Sequence, residues 1–326
     1  MKIAVSVIVP IYNAEKYLTE CLESLVKQTL QEIEFILIND CSTDHSLLIM
    51  QQYQEKYPDR ISIYNTKHNS GPGGARNLGL SVAQGEYIGF VDSDDVIAPN
   101  MYAHLYEEAK RKNYDVVDTG MYYEEKDMAI VYVGDDNKDI LNVEKRKALI
   151  VGGGFVYSKI YRRDFISKHG LKFRENCILE DMDFVMYIYA TAETIGNVKE
   201  VNYWYRNIKD SASKEINRVK YYENVTSAMR AVWQKMKSLD IYEDIREAVE
   251  YSIIQLYSYA LTICLIEKED GFRSLQKMKE LSSLKKELVK GDYLNRYVQE
   301  KMKPIDIEIM AKNDNNSEEL YQYVRG

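Results

Sequence analysis

Three carboxylates crowd one short turn, Asp92-Ser93-Asp94-Asp95. Like charges at that spacing repel unless a cation or a set of donors compensates them. Carboxylate oxygens suit Mg2+ or Mn2+, whose sites commonly use one or two protein carboxylates and leave the other positions to water and substrate phosphates. The competing reading is an acidic loop whose Asp95 caps the helix that follows. A second acidic pair, Glu180-Asp181, precedes the apolar stretch that begins at Met182. There it complements a helix N-terminus, and Asp181 is also placed to act as a base toward an attacking hydroxyl.

Two further polar clusters follow apolar runs. Pro10-Ile11-Tyr12-Asn13 leaves the first and Asn39-Asp40-Cys41-Ser42-Thr43-Asp44 leaves the second. The segment Gly71-Pro72-Gly73-Gly74-Ala75-Arg76-Asn77 lets backbone approach a ligand closely, with Arg76 facing an anion or a base; its plainer alternative is a tight turn before a helix. Neither G-x-x-x-x-G-K-[ST] nor a strand-linked G-x-G-x-x-G is present, which argues against P-loop and dinucleotide sites.

The elements that must position these residues follow from periodicity. Short apolar runs at Ile3 to Val9, Phe35 to Ile38, Ile61 to Tyr64, Tyr87 to Val91 and Val116 to Thr119 read as parallel strands buried on both faces. Leu18, Cys21, Leu22, Leu25 and Val26 recur at helical spacing between the first two, and further helices are expected over Ser46 to Tyr57 and Gly74 to Ala83. The result is an α/β fold with a doubly wound sheet, whose ligands sit at the carboxyl ends of the strands. All three polar clusters fall there. Residues 127–142 read as an exposed hairpin or loop. Helical patterns dominate from Tyr221 onward, over Tyr221 to Leu239, Tyr242 to Glu267 and Gly271 to Leu281.

In order and spacing these segments closely resemble glycosyltransferase family 2. Its opening is similar to Val7-Ile8-Val9-Pro10-Ile11-Tyr12-Asn13, and its helix ending in Gln-Thr is similar to Gln28-Thr29. Its Asp-Asp-Gly-Ser-Thr-Asp segment is matched by Asn39 to Asp44, its Gly-x-x-x-Ala-Arg-Asn turn by the residues up to Asn77, and its Asp-Ser-Asp-Asp motif is unchanged from Asp92. Two departures stand out, Asn39 for the first Asp and Cys41 for the Gly. The resemblance covers about residues 1–210. It implies a GT-A fold, an inverting transfer from a nucleotide-sugar donor, taken as UDP-linked, and a Mn2+ or Mg2+ ion. Carried over, it implies that Pro10, Tyr12, Asn13 and Asp40 cradle the nucleotide, with Arg76, Asn77, Asp92 and Ser93 beside it. Asp94 becomes the direct metal ligand with Asp92 in the metal shell, and Asp181 the catalytic base. Tyr203-Trp204-Tyr205-Arg206 resembles the start of a mobile segment that closes over the donor phosphates, and Ser158 to Arg163 resembles a further family feature, assigned here to packing. The competing classes are a sugar-1-phosphate nucleotidyltransferase, whose N-terminal Gly-rich basic turn is missing, and a nucleotide-sugar-binding protein without turnover, against which Asp94 and Asp181 both speak.

Length and composition agree with such an enzyme. A chain of 326 residues exceeds one ordinary core, so a catalytic domain over 1–212 is expected, with a nucleotide-sugar part over 1–125 and an acceptor part over 126–212. A helical module over 213–326 follows. A net charge of −8 argues against a nucleic-acid partner, and the resemblance implies a glycan or lipid-linked glycan as acceptor. Scattered Cys21, Cys41, Cys177 and Cys264 point to a reducing, cytoplasmic setting. The first residues read as a strand rather than a signal peptide, and the uncharged run Tyr251 to Ile266 is short for a bilayer span. Tyr221, Tyr222, Trp233, Tyr251, Tyr257 and Tyr259 are assigned to core packing and a homodimer interface, the alternative being peripheral contact with the inner face of the cell membrane.

Overall fold

The computed structural model describes residues 2–208, 218–267 and 274–325. The chain forms two compact units, Met1–Lys145 with Gly154–Lys209, and Arg146–Gly153 with Asp210–Gly326.

The first unit is built on one sheet. Its strands are β1 (Val5–Ile11), β2 (Ile33–Asn39), β3 (Ile61–Asn65), β4 (Tyr87–Phe90), β5 (Val96–Ile97), β6 (Val116–Tyr123), β7 (Met128–Ile130), β8 (Asp139–Ile140), β9 (Lys159–Arg162) and β10 (Thr194–Tyr205). They run in the order β3-β2-β1-β4-β9-β6-β10-β5, with β7 on β6 and β8 on β10. Every residue of β1 is buried, as expected of a central strand covered on both faces. It pairs in parallel with β2 on one side and β4 on the other, and β2 pairs in parallel with β3.

Helices supply the crossovers: α1 (Leu18–Val26), α2 (Ser46–Lys56) and α3 (Gly71–Val82) join the first four strands. Leu18, Cys21, Leu22 and Leu25 bury the inner stripe of α1. The α3 helix starts three residues before the expected Gly74, because Pro72 lies in its first turn, where a missing N–H costs nothing. The remaining helices of this half of the chain are α4 (Met101–Lys112), α5 (Val143–Gly152), α6 (Arg163–Lys168) and α7 (Met182–Thr191). Most of α5 belongs to the second unit.

One expectation about the sheet needs correcting. Five parallel strands in succession are not formed, because β9 inserts antiparallel between β4 and β6. Lys159 at its start, paired with a carboxylate in the interior, hid the strand from an apolar-run search. The expected hairpin forms between β6 and β7 and turns at Asp127 with φ 48°; the short β8 lies further on.

The second unit is helical: α8 (Arg218–Lys237), α9 (Tyr242–Ile266), α10 (Ser274–Leu288), α11 (Arg296–Lys301) and α12 (Pro304–Arg325). The α9 helix packs against the other four. It is the one described helix long and apolar enough to cross a membrane, yet 67% of its most apolar window is buried, the pattern of a core helix. Tyr222, Tyr251 and Tyr257 are buried, whereas Tyr259 is exposed. A buried polar cluster ties α10 to α12, where Asp314 accepts from Lys285, Ser282, Tyr257 and Tyr293.

Candidate active site

The acidic turn begins where β4 ends. Val91 N–H still donates to Ile8 in the neighbouring strand, and the chain then folds back so that Asp95 N–H donates to the Asp92 carbonyl at 3.1 Å. Asp95 is buried, and its carboxylate accepts from the Tyr203 hydroxyl at 2.6 Å and the Arg206 N–H at 3.0 Å. It therefore fastens the end of β10 to the turn. It caps no helix: β5 follows, and α4 starts only at Met101. Asp94 has a different setting. Its half-buried carboxylate accepts from no other residue's donor among the described residues, and burial, reinforced by the charge of Asp92, pushes it up to about 6. Ser93 is half-buried between them.

Arg76 joins this turn to the second acidic pair. Its side chain, 4% exposed, donates to Asp92 Oδ1 at 2.7 Å through one guanidinium nitrogen and to Glu180 Oε1 through another. Phe173 lies beneath the guanidinium at 5.5 Å. Two carboxylates 88 positions apart in the chain thus meet on one cation. Charge–charge attraction outweighs the desolvation that would otherwise favour the neutral form, so Arg76 is held protonated.

Next to Glu180, Asp181 stands at the N-terminal boundary of α7, where its side chain makes no capping hydrogen bond. Its carbonyl accepts from Val185, so its backbone belongs to the helix while its carboxyl stays available. Burial raises this carboxyl to about 7; the charges of Glu180 and Asp92 add to the rise and Arg76 opposes it. A carboxylate poised near neutral pH and bonded to no neighbouring side chain is equipped to take a proton.

The glycine-rich segment packs on protein instead of opening toward a ligand. A Cβ on Gly73 would lie 1.9 Å from the Arg174 carbonyl oxygen, and Gly71 takes φ +72°. Asn176 N–H donates to the Ser70 carbonyl at 2.8 Å. Arg174, which no motif singles out, bonds Asp183 at 2.9 Å and donates to the Leu179 carbonyl, so it holds the loop that ends at Asp181. Only the lack of a side chain at Gly73 lets the start of α3 and the 174–181 loop touch.

Several residues expected on the nucleotide are engaged with protein partners. Arg76, expected to face an anion or a base, is occupied by Asp92 and Glu180. Asn77 donates to the Phe173 carbonyl and Glu175 and accepts from Phe173 N–H. Asp40 is buried, and its carboxylate accepts from Thr66 and from the N–H and hydroxyl of Ser70. Asn13 accepts from Thr43 N–H and ties the loop after β1 to the loop after β2. Pro10 is buried in β1, whereas Tyr12 is 50% exposed at its end. Arg206 pairs with Glu20 at 2.7 Å, and its charge also bears on Asp94. The stretch Tyr203 to Tyr205 is the end of β10 rather than the start of a loop; residues 209–217, which would continue the expected closing segment, lie outside the described residues.

The Lys159 region also proves more than apolar packing. Lys159 and Asp118 form a fully buried ion pair at 3.0 Å. Asp118 also accepts from Ser158 and from Val133 N–H, and Lys159 donates to the Phe155 carbonyl. This network anchors two loops at the edge of the site.

The family model "Glycosyl transferase family 2" matches residues 6–170. The chain belongs to that family. Among solved structures, the 1–349 portion of TarS from Staphylococcus aureus in complex with UDP-GlcNAc is similar over 98% of this chain and 92% of that one, with a TM-score of 0.75 and 25% identity. The GT-A fold is shared. EpsJ of Bacillus subtilis, described as an uncharacterised glycosyltransferase, is 34% identical over 64% of this chain and 63% of its own length. A poly(ribitol-phosphate) beta-glucosyltransferase of Bacillus spizizenii is 30% identical over 73% of this chain and 38% of its own. The chain thus spans less than two thirds of each of these two curated family 2 relatives.

Proposed function

We propose that this chain transfers a sugar from a UDP-sugar to an acceptor hydroxyl with inversion, in the assembly of a bacterial surface glycan. The observation that carries the reading is the Arg76 bridge, which holds the Asp92 turn and the Asp181 end of α7 on one cation. Similarity to an enzyme solved with UDP-GlcNAc supports the donor class, and the curated relatives support the glycan setting. Four free cysteines agree with work in the reducing cytoplasm.

In this reading Asp181 takes the proton of the acceptor hydroxyl as that oxygen attacks the anomeric carbon and the nucleoside diphosphate leaves. A single base is enough for one displacement. Tyr12, exposed at the end of β1, lies against the base; Asp40, Asn13 and Asn77 fix the loops around it.

A divalent cation suits the donor set. Among the described residues no three His, Cys, Asp or Glu side chains form a metal cage. Asp94 nevertheless offers a carboxylate bonded to no other residue, with Asp92 beside it, and Mg2+-type ions are held by one or two carboxylates together with substrate phosphates. Asp94 is the proposed direct ligand. Such an ion, when bound, would neutralise charge on the departing diphosphate.

The test pairs two variants. Asp181→Asn is expected to bind UDP-sugar like the parent while transfer falls about 10²- to 10⁴-fold, the usual contribution of a general base. Asp94→Asn is expected to remove most of the Mn2+ dependence of UDP binding in calorimetry. Transfer by Asp181→Asn at the parent rate, or unchanged Mn2+ linkage in Asp94→Asn, overturns the respective assignment.

A further inference from the structure

Beside Asp181 and the acidic turn, aromatic rings accumulate in near-parallel contact. Tyr203 stacks on Tyr157 at 4.7 Å and 14°, and Tyr157 on Phe155 at 5.0 Å and 10°. Tyr205 lies alongside, 5.7 Å from Tyr157 and 5.1 Å from Tyr123, while Tyr132 meets Phe155 edge-on at 5.8 Å. Tyr203 and Tyr157 are buried, but Phe155, Tyr205, Tyr123 and Tyr132 are each partly exposed. The group therefore has a buried foundation, Tyr203 and Tyr157, and four rings that reach solvent in part.

Its place is fixed from both sides. The Tyr203 hydroxyl donates to Asp95 and accepts from Asp92 N–H. Burial raises the Tyr157 hydroxyl, and the charges of Asp92, Tyr205, Asp95 and Asp181 raise it further, so both acidic segments act on this ring. Tyr132 is raised likewise by burial and by Asp118, Tyr123 and Asp181. The Lys159–Asp118 pair holds both flanking loops, through the Phe155 carbonyl and Val133 N–H. The rings are thus preorganised.

We propose that this aromatic ledge is the acceptor subsite, and that it takes the C–H face of a neutral pyranose ring in preference to an anionic polyol phosphate. The inference deepens the glycosyltransferase reading and rests on it for the role of Asp181. A pyranose presents a flat array of polarised C–H bonds to the negative face of an aromatic ring, whereas an open-chain polyol must give up conformational freedom to do so. Charge points the same way. Next to Tyr123 three carboxylates, Glu124, Glu125 and Asp127, stand against one lysine, Lys126. Nearby cations are engaged: Arg206 by Glu20, and Lys126 over the Tyr123 ring at 5.1 Å. An acceptor phosphate would meet like charge there.

Saturation-transfer NMR with lactose and N,N′-diacetylchitobiose, against ribitol 5-phosphate, tests the ledge with and without UDP and Mn2+. The neutral disaccharides should bind and ribitol 5-phosphate should not. Phe155→Leu and Tyr205→Leu should each weaken disaccharide binding roughly two- to tenfold, the worth of one aromatic contact. Phe155→Tyr and Tyr205→Phe should restore it, and melting temperature confirms folding in all four. Equal binding by ribitol 5-phosphate, or leucine variants that bind like the parent, overturns the proposal. Loss of UDP binding by the parent protein would instead count against the donor reading, because disaccharide binding is read separately in the absence of UDP.

Discussion

Replacing Arg76 by Met keeps an unbranched apolar side chain and removes the guanidinium, with its charge, its two donors and its place over Phe173. Because the side chain is 4% exposed and Glu180 8%, water cannot take over the lost contacts, while Asp92 at 25% recovers part of its hydration. Deleting one partner of a buried ion pair costs about 3–5 kcal/mol. At roughly 2–4 °C per kcal/mol for a unit of this size, the melting transition should fall by about 10 °C at pH 8. Acid should shrink the deficit, since protonating the orphaned carboxylates removes the repulsion that Arg76 now offsets. The bridge also lowers Asp181, so the acid limb of transfer should move to higher pH in the variant. Calorimetry at pH 8 and pH 5.5, with Glu180→Gln and the double variant completing a cycle, measures both effects. A melting point within about 2 °C of the parent at pH 8, or a deficit that does not change with pH, would falsify the claim that this cation is what draws the two acidic segments together.

Further expectations rest on single residues. With Asp181 raised to about 7, its base form accumulates as pH rises through that value, so transfer should climb up to about tenfold per unit below it and level off above; a flat profile from pH 5.5 to 8 contradicts the assignment. The same carboxyl keeps its proton in the folded chain where the unfolded chain, near 4, has lost it. Its contribution to stability is therefore full below about 4 and lost as pH rises to about 7, and Asp181→Asn should abolish that slope in denaturant titrations. Gly73→Ala sets a methyl 1.9 Å from the Arg174 carbonyl; it should destabilise by about 1–3 kcal/mol, as overpacking does, and depress transfer more than UDP binding. Cys41 adopts φ 62°, so Cys41→Gly should relieve about 1 kcal/mol of left-handed strain after the entropy cost of glycine, visible as a higher urea midpoint. A lower midpoint would show that the Cys41 contact with Thr66 matters more.

The parallel half of the sheet was legible because β1 through β4 are apolar runs closed by turn residues, and the polar clusters were legible because they follow those runs. Their partners were not. Spacing along a chain reports neighbours within a few residues, whereas Arg76 finds Glu180 from 104 positions away and Asp40 finds Ser70 from 30. A residue type that suits a ligand equally suits a loop tether, and Asn13, Asp40 and Asn77 turned out to be tethered. Burial of Lys159 runs against the ordinary habit of lysine, so β9 carried no apolar run to mark it. The aromatic ledge draws on four separate segments, so no local pattern could announce it.

The antiparallel β9 has a consequence for biosynthesis. As the polypeptide leaves the ribosome, β4 is complete by residue 90, but the strand that covers its open side arrives about seventy residues later. During that interval Tyr87 to Phe90, apolar and ready to pair, offers bare amides and carbonyls to any other nascent chain. A chain ended at Gly153 would carry that exposed flank permanently, and would be expected to aggregate even though it holds the whole acidic turn.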